Sequence, residues 1–140
     1  MSGYIRPSLS RRNKYSIPKH RYYELKHFCL QYPDWKKDYD ALMQGSIVTN
    51  YYISISHQEG FSDRTANVAI EMANLSKKIK LVEKTVLQAT DVSLSNYILI
   101  GVTQGVTYDQ LSARYRIPCC RKVYYETYRR FFWMLSNSQE

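Results

Sequence analysis

The spacing of apolar residues predicts a chain built almost entirely of helices. Pro18 suits a first helical turn, and apolar residues then recur every three or four positions, at Tyr22, Leu25, Phe28, Cys29 and Tyr32. Pro33 ends or sharply bends this helix and can open a second one. The second helix has an apolar side made of Trp35, Tyr39, Leu42 and Met43. We therefore expect a pair of helices rich in aromatic residues.

Residues 45–60 follow a different pattern. Tyr51, Ile53 and Ile55 alternate with Tyr52, Ser54 and Ser56, which permits a short strand. No second strand signal accompanies this stretch, and an isolated strand would leave its backbone groups unpaired. We therefore interpret residues 45–60 as an ordered linker between helices.

A long helix is predicted from a cap at Ser62 or Asp63 to about Ala89. Its apolar residues follow spacings of four and three, which is a heptad seam: Val68, Met72, Leu75, Ile79, Val82, Val86 and Ala89. We expect this seam to pack on the helices of residues 22–43 in the same chain. The alternative is that the seam of residues 68–89 joins copies of the chain into a homo-oligomer.

The last third of the chain begins with a break at residues 91–95, where Ser93 or Ser95 is available as a cap. A short apolar helix follows, made by Tyr97, Ile98, Ile100 and Val102, and it ends before Gly105. Thr107 and Gln110 then have the Thr-x-x-Gln form of a capping box. In the brief helix after it we expect inward-facing Tyr108, Leu111 and Tyr115, and a close crossing at Ser112 or Ala113.

A turn then leads to the last helix, which we expect from about Cys119 to Leu135. Ile117 closes the turn from the inside, and Pro118 fixes the start of the helix. The predicted buried residues are Val123, Thr127, Phe131 and Met134 or Leu135. The predicted outer residues are Arg121, Lys122, Tyr125, Glu126 and Arg129. A short capped helix, a turn and a longer basic helix form the helix-turn-helix pattern.

Residues 131–135 read Phe-Phe-Trp-Met-Leu, which is too apolar for a solvated helix end. We interpret this run as core that packs on the preceding helix, and partly as a subunit contact. An aromatic stack for single-stranded nucleic acid is the alternative.

The positive charge is concentrated at two places. The net charge is +8 at pH 7. Residues 1–21 hold six basic residues and no acidic one, and residues 108–130 hold six basic residues against Asp109 and Glu126. This distribution indicates a polyanionic partner. We divide the chain into a basic flexible arm (1–17), a helical region (18–90) with a long helix at 63–89, and a helix-turn-helix domain (91–140).

Several other classes of protein are disfavoured. The three histidines are scattered, and neither a glycine-rich phosphate loop nor a carboxylate cluster is present, so we expect no enzyme and no cofactor. Three cysteines with an adjacent pair suit reduced thiols rather than disulfides or zinc. No apolar run is long enough to cross a membrane, and no secretory signal is evident. The predicted location is the cytoplasm of a bacterial host.

The order of these parts resembles the ArpU/RinA group of phage late-transcription regulators. The matching stretches are Trp35, then Asp63-Arg64-Thr65-Ala66-Asn67-Val68-Ala69, then residues 98–125. The phrases Gly-Val-Thr-Tyr-Asp-Gln-Leu and Tyr-Arg-Ile-Pro-Cys-Cys-Arg-Lys-Val-Tyr-Tyr are similar to the core motif of that group, although Pro118-Cys119-Cys120 replaces its usual serine cap. The resemblance implies a domain like region four of sigma factors, DNA binding near a promoter and transcription activation. RNA polymerase is a further candidate partner, and the sequence leaves open whether it is contacted.

These observations predict an all-α protein that binds double-stranded DNA sequence-specifically and regulates phage or prophage transcription. The predicted DNA-binding residues are Arg121, Lys122, Tyr125, Arg129, Arg114, Arg116, Arg11 and Arg12. The alternatives are a phage terminase small subunit that recognises a packaging site, a sigma-like factor, and an interaction protein that binds an acidic protein surface. A ring of many subunits would favour packaging, and a steep salt dependence of binding would favour DNA over a protein partner.

Overall fold

The computed structural model describes residues 14–56 and 62–138, with the backbone alone for residues 46–56 and Ser62. This part of the chain forms six helices: α1 (Lys19–Leu30), α2 (Tyr32–Ser56), α3 (Ser62–Ala89), α4 (Val92–Gln104), α5 (Tyr108–Tyr115) and α6 (Arg121–Ser138). The same residues contain no strand. The prediction of an all-α chain is confirmed.

The first two helices are separated by a single residue. Pro18 precedes α1, and its carbonyl accepts the first helical hydrogen bond from the Tyr22 amide at 2.9 Å. Gln31 ends α1 by donating its amide to the Phe28 carbonyl at 3.2 Å. Pro33 is the second residue of α2, a position where a proline costs little because no helical amide bond is needed there. The predicted pair of helices is therefore present.

The linker predicted at residues 45–60 is wrong for residues 45–56, which continue α2 to Ser56. Residues 57–61 lie outside the described part of the chain. Gly45 lowers helix stability by about 1 kcal/mol but does not break the helix. In the sequence, Val48, Tyr52 and Ile55 are also spaced by four and three. The same residues thus satisfy a helical period, and a helix pairs its backbone groups without a partner strand.

The long central helix α3 has the predicted bounds. The second half of its seam is buried, at Ile79, Val82, Val86 and Ala89, whereas Val68, Met72 and Leu75 in the first half are half-buried. The second half is therefore covered within the chain. A homo-oligomer contact through residues 68–89 stays a prediction.

Helix α4 is capped by Asp91 and not by the predicted Ser93 or Ser95. The Asp91 carboxylate accepts from the Leu94 amide at 3.1 Å and from the Ser93 hydroxyl at 2.7 Å. The predicted alternative caps, Ser93 and Ser95, lie inside the helix instead. Both are short side chains that bond locally, as is common in a first turn. At the other end, Gly105 adopts the left-handed conformation, with φ 68°, as predicted.

The helices form two compact units. One comprises Met1–Gln31 together with Leu81–Glu140, and the other comprises Tyr32–Lys80. This division differs from the predicted boundary at residue 90, because α1 packs on α4 and α6. The helix-turn-helix region therefore shares its core with a helix from the beginning of the chain.

The core of the first unit is dominated by aromatic and aliphatic side chains. The fully buried residues include Leu25 and Cys29 of α1, Ile98 of α4, and Phe131, Phe132 and Leu135 of α6. The Tyr22 and Tyr128 hydroxyls are hydrogen-bonded at 3.1 Å, and the Tyr22 and Phe132 rings meet edge to face at 5.3 Å. These contacts fix the rotation of α6 about its own axis, and so decide which of its residues face solvent.

In the second unit, the buried side chains lie at the start of α2 and near residue 79 of α3. Tyr32, Trp35 and Ile79 are buried, and the Lys78 ammonium lies 5.6 Å from the centre of the Trp35 ring. A cation over an indole face is a favourable contact that also covers the ring from water.

None of the described helices combines the length and the apolar character that crossing a membrane requires.

Candidate nucleic-acid interface

The first helix of the helix-turn-helix, α5, begins at the predicted capping box. The Gln110 amide donates to the Thr107 hydroxyl at 3.3 Å, and the Thr107 amide donates to the Gln110 side chain at 2.9 Å. Leu111 is fully buried and holds α5 against α4. Tyr115, predicted to face inward, is 46% exposed. An eight-residue helix with one buried aliphatic residue has little apolar area left to cover Tyr115.

The close helix crossing lies at Gly101 rather than at Ser112 or Ala113, which are both exposed. A Cβ atom on Gly101 would lie 2.1 Å from the Tyr124 hydroxyl oxygen. The Tyr124 side chain is fully buried, and its hydroxyl has no hydrogen-bond partner among the described residues. Burial raises the pKa of Tyr124 well above its usual value. Gly101 thus lets α6 approach α4 with a tyrosine in between.

The turn between α5 and α6 comprises residues 116–120. Arg116 ends α5 in the left-handed conformation, with φ 52°, and donates its amide to the Ser112 carbonyl at 3.2 Å. Ile117 is buried, as predicted. Helix α6 begins at Arg121, two residues later than predicted, and the Cys120 carbonyl accepts its first bond from the Tyr124 amide. Pro118 therefore shapes the turn instead of starting the helix.

The buried side of α6 is rotated relative to the prediction. The buried residues are Tyr124, Phe131, Phe132, Leu135 and Ser136, whereas Val123 is 41% exposed and Thr127 is half-buried. Two sets of residues with helical spacing overlap in this sequence, and the set containing Tyr124 and Phe132 buries more area because aromatic side chains are larger. The assignment of residues 131–135 to the core is confirmed for Phe131, Phe132 and Leu135.

The first turns of α5 and α6 are fastened together by a group of contacts that we call the clasp (Tyr108, Asp109, Cys119, Arg121 and Tyr125). The Tyr108 hydroxyl donates to the Cys119 carbonyl at 2.6 Å, and the Tyr108 amide donates to the Tyr125 hydroxyl at 3.4 Å. The Arg121 guanidinium pairs with the Asp109 carboxylate and lies 5.7 Å from the centre of the Tyr108 ring. The clasp sets the position of the α6 N-terminus on α5.

Four of the predicted DNA-binding residues are exposed in and around the turn: Arg114 before it, Arg116 as its first residue, and Arg121 and Lys122 after it. Tyr125 is half-buried in the clasp. Arg129 is half-buried two turns further along α6, and its Nε is enclosed without a hydrogen-bond partner in the described chain. Arg11 and Arg12 lie outside the described residues. The structure therefore groups the first four of these residues at one corner.

Two exposed residues of α6, Val123 and Arg130, were not among the predicted site residues. Lys122, Glu126 and Arg130 are four residues apart, so they follow one solvent-facing side of the helix. Tyr124, Tyr128 and Phe132 also recur every four residues. Had this aromatic set been taken as the buried side, the sequence would have predicted the solvent-facing side correctly.

The segment before α1 is held at the other end of α6. Ile17 is buried, and the Tyr15 and Trp133 rings lie 5.6 Å apart. The Arg21 side chain donates to the Ser136 hydroxyl at 3.1 Å and to its carbonyl at 3.2 Å. Residues 14–17, predicted as the end of a flexible arm, are therefore packed because Tyr15 and Ile17 cover apolar surface. The rest of the predicted arm, residues 1–13, lies outside the described chain.

The cysteines of the described chain are free thiols. Burial raises the pKa of Cys29 strongly, and burial together with the charges of Cys120 and Asp91 raises the pKa of Cys119. A raised pKa keeps a thiol protonated at neutral pH and therefore poorly nucleophilic. Within the described residues, no three His, Cys, Asp or Glu side chains are grouped in a way that could hold a metal ion.

Comparison with protein-family models, with curated proteins and with solved structures gave no match to this chain. The resemblance to the ArpU/RinA group stays a prediction from its motifs.

Proposed function

We propose that this protein binds double-stranded DNA sequence-specifically and regulates phage or prophage transcription. The observation that carries the proposal is the exposed, cationic first turn of α6, with Arg121 and Lys122 outside the core and no acidic residue within the turn itself. The clasp to α5 supports that turn from behind. A braced helix whose N-terminal turns protrude is the arrangement by which helix-turn-helix proteins enter DNA.

The dimensions and charges of α6 suit a major groove. An α-helix has a diameter of about 10–12 Å with its side chains, and the groove of B-DNA is about 12 Å wide. The helix N-terminus carries a partial positive charge that adds to the basic side chains near it. Arg121 can donate in a fork to the two acceptors of a guanine, and exposed Val123 can contact a thymine methyl group.

We assign the remaining basic side chains to contacts with the DNA backbone. Arg114 precedes the turn and Arg116 is its first residue. Both are exposed, so they can contact phosphates beside the groove. Arg130 continues the side of α6 that carries Lys122. Half-buried Tyr125 and Arg129 have less freedom to move, and we assign them to fixed phosphate contacts. In the transcriptional role, RNA polymerase is a second candidate partner of the DNA-bound protein.

Alanine substitutions in the first turn of α6 test the proposal. Arg121→Ala is expected to weaken binding to the preferred duplex by about 1–3 kcal/mol and to relax specificity at one base pair. Lys122→Ala is expected to weaken binding similarly on all sequences and to reduce the salt slope by about one. The measurement is fluorescence anisotropy over a salt series, with a duplex selected from a randomised library and a scrambled duplex.

The matched control is Lys37→Ala, which removes one exposed positive charge from α2 in the other compact unit. This variant should bind DNA nearly like the parent. Parent-like binding by both α6 variants, or an equal loss in the control, would show that α6 is not the DNA-reading helix.

A further inference from the structure

We infer that Asp109 determines the sequence specificity of this DNA site by holding Arg121 away from phosphates. The inference rests on the proposed function and deepens it. Asp109 is the second residue of α5, and its carboxylate accepts a hydrogen bond from the terminal guanidinium nitrogen Nη2 of Arg121 in α6. Asp109 is therefore the acidic partner of Arg121, the side chain that is proposed to contact a base pair in the major groove.

Arg121 is held from two directions. The Asp109 carboxylate pairs with its guanidinium, and the Tyr108 ring lies 5.7 Å from the guanidinium carbon. The Tyr108 ring is itself fixed because its hydroxyl donates to the Cys119 carbonyl. A long side chain that ordinarily samples many rotamers is therefore confined at the N-terminus of α6 before DNA arrives, which lowers the entropy lost on binding.

The ion pair between Asp109 and Arg121 is weak enough for DNA to compete with Asp109 for the guanidinium. The Asp109 and Arg121 side chains are 69% and 58% exposed. Exposed ion pairs are worth about 0.2–1 kcal/mol, which corresponds to a factor of about 1.4 to 5 in an equilibrium constant. DNA can therefore draw Arg121 away from Asp109, but only by offering contacts that are better than the ion pair.

Phosphates and bases compete differently for Arg121. A phosphate close to Arg121 also lies close to the Asp109 carboxylate, and two negative charges repel. A guanine edge presents two acceptors without formal charge, and the five donors of a guanidinium can serve both that edge and a carboxylate. Asp109 therefore penalises non-specific phosphate contacts more than specific base contacts, which raises the ratio between the two affinities.

Asp109→Asn tests this role with little change in shape. We expect binding to a scrambled duplex to rise about two- to fivefold at low salt, as the ion pair is lost. The slope of log affinity against log salt should steepen by about 0.9, as expected for one added phosphate contact. Binding to the duplex selected from a randomised library should change less, so the ratio of the two affinities should fall.

Glu126→Gln is the matched control. It removes one negative charge from the exposed side of α6, and no ion pair of Glu126 is found among the described residues. We expect its two affinities to rise by the same factor, with an unchanged salt slope. Thermal unfolding of each variant by circular dichroism checks that all are folded equally.

A double variant separates Asp109 from general charge. In an Arg121→Ala background, Asp109→Asn should no longer alter the affinity ratio or the salt slope. The inference is overturned if Asp109→Asn keeps the parent ratio, behaves like Glu126→Gln, or acts equally without Arg121. If the parent itself fails to bind either duplex, the proposed function fails instead.

Discussion

Tyr124 and Gly101 meet where α4 crosses α6, and each explains the other. The glycine has ordinary helical geometry, so it is needed for space and not for an unusual backbone angle. The buried Tyr124 hydroxyl has no hydrogen-bond partner in the described chain, and leaving such a group unpaired costs about 1–3 kcal/mol. The ring area that Tyr124 buries offsets this cost. The hydroxyl is therefore a local weakness in an otherwise well-packed crossing.

A double-mutant cycle tests this crossing. Gly101→Ala should destabilise the protein by about 1–3 kcal/mol, since the added methyl group overlaps the Tyr124 oxygen. Tyr124→Phe should be neutral or stabilising by up to about 1 kcal/mol, because the lost hydroxyl has no partner. With phenylalanine at position 124, the atom nearest to the added Cβ at position 101 is the ring carbon Cζ, at 3.4 Å. The alanine should then be tolerated.

The measurement is the free energy of unfolding in urea for the parent, both single variants and the double variant. Strong coupling between the two positions is expected. Additive effects of the two substitutions would mean that Tyr124 does not limit the approach of α4 to α6.

At this scale, the sequence predicted residues whose role follows from local chemistry. Thr107 and Gln110 form a capping box because their spacing alone places each side chain near the other's amide. Ile117 is the one large aliphatic residue in the turn of residues 116–120, so its burial was predictable. Tyr124 was not, because a tyrosine suits both a buried and a half-exposed site. Asp91 was not, because two serines nearby are equally good caps by residue type.

The N-terminus of α4 offers a test at the scale of an element. Two hydrogen bonds to the Asp91 carboxylate, from the Ser93 hydroxyl and the Leu94 amide, lower the pKa of Asp91 below its ordinary value of 3.8. A lowered pKa in the folded state stabilises the protein above pH 3.8. That stability is lost as the pH falls from the ordinary value through the lowered one.

Asp91→Ser should keep a cap while removing its titration, and Asp91→Ala should remove both. We therefore expect the melting temperature of the parent to fall more steeply below pH 3.8 than that of Asp91→Ser. At neutral pH, Asp91→Ala should be the least stable of the three. Identical acid profiles for the parent and Asp91→Ser would contradict a role for the Asp91 charge.

Whole helices were predicted best where caps and one clear period agree. The bounds of α3 match because a polar start precedes an uninterrupted heptad pattern. The second half of α2 was missed because residues 48–55 satisfy both a period of two and a period near four. The register of α6 was predicted one residue away because Val123, Thr127 and Phe131 also recur every four positions. Periodicity identifies a helix more firmly than it identifies the buried side.

At the scale of the whole molecule, α1 completes the core of the C-terminal helices. Leu25 and Cys29 are fully buried in a unit whose other helices come from the second half of the chain. The sequence could not reveal this arrangement, because an apolar side of a helix does not specify which other helix covers it. The predicted domain of residues 91–140 is therefore incomplete without α1.

A fragment of residues 91–140 should not fold cooperatively on its own. Without α1, it would expose Ile98 and Phe132, which the first helix helps to cover. Circular dichroism should show reduced helicity and a broad thermal transition. Joining residues 14–31 to residues 81–138 through a flexible linker should restore a sharp transition. A fragment of residues 91–140 that melts as sharply and at the same temperature as the full chain would contradict the need for α1.

The left-handed geometry of Arg116 has a consequence for how stability and encounter rate are balanced. For a residue with a side chain, this conformation costs about 1–2 kcal/mol of free energy, whereas for glycine the cost is close to zero. A chain optimised for heat resistance alone would gain from glycine at this corner. Under the proposed function, the retained cation extends the electric field ahead of α6 and accelerates diffusional capture of a polyanion. Arg116 therefore lowers the free energy of unfolding but raises the rate at which the protein associates with DNA.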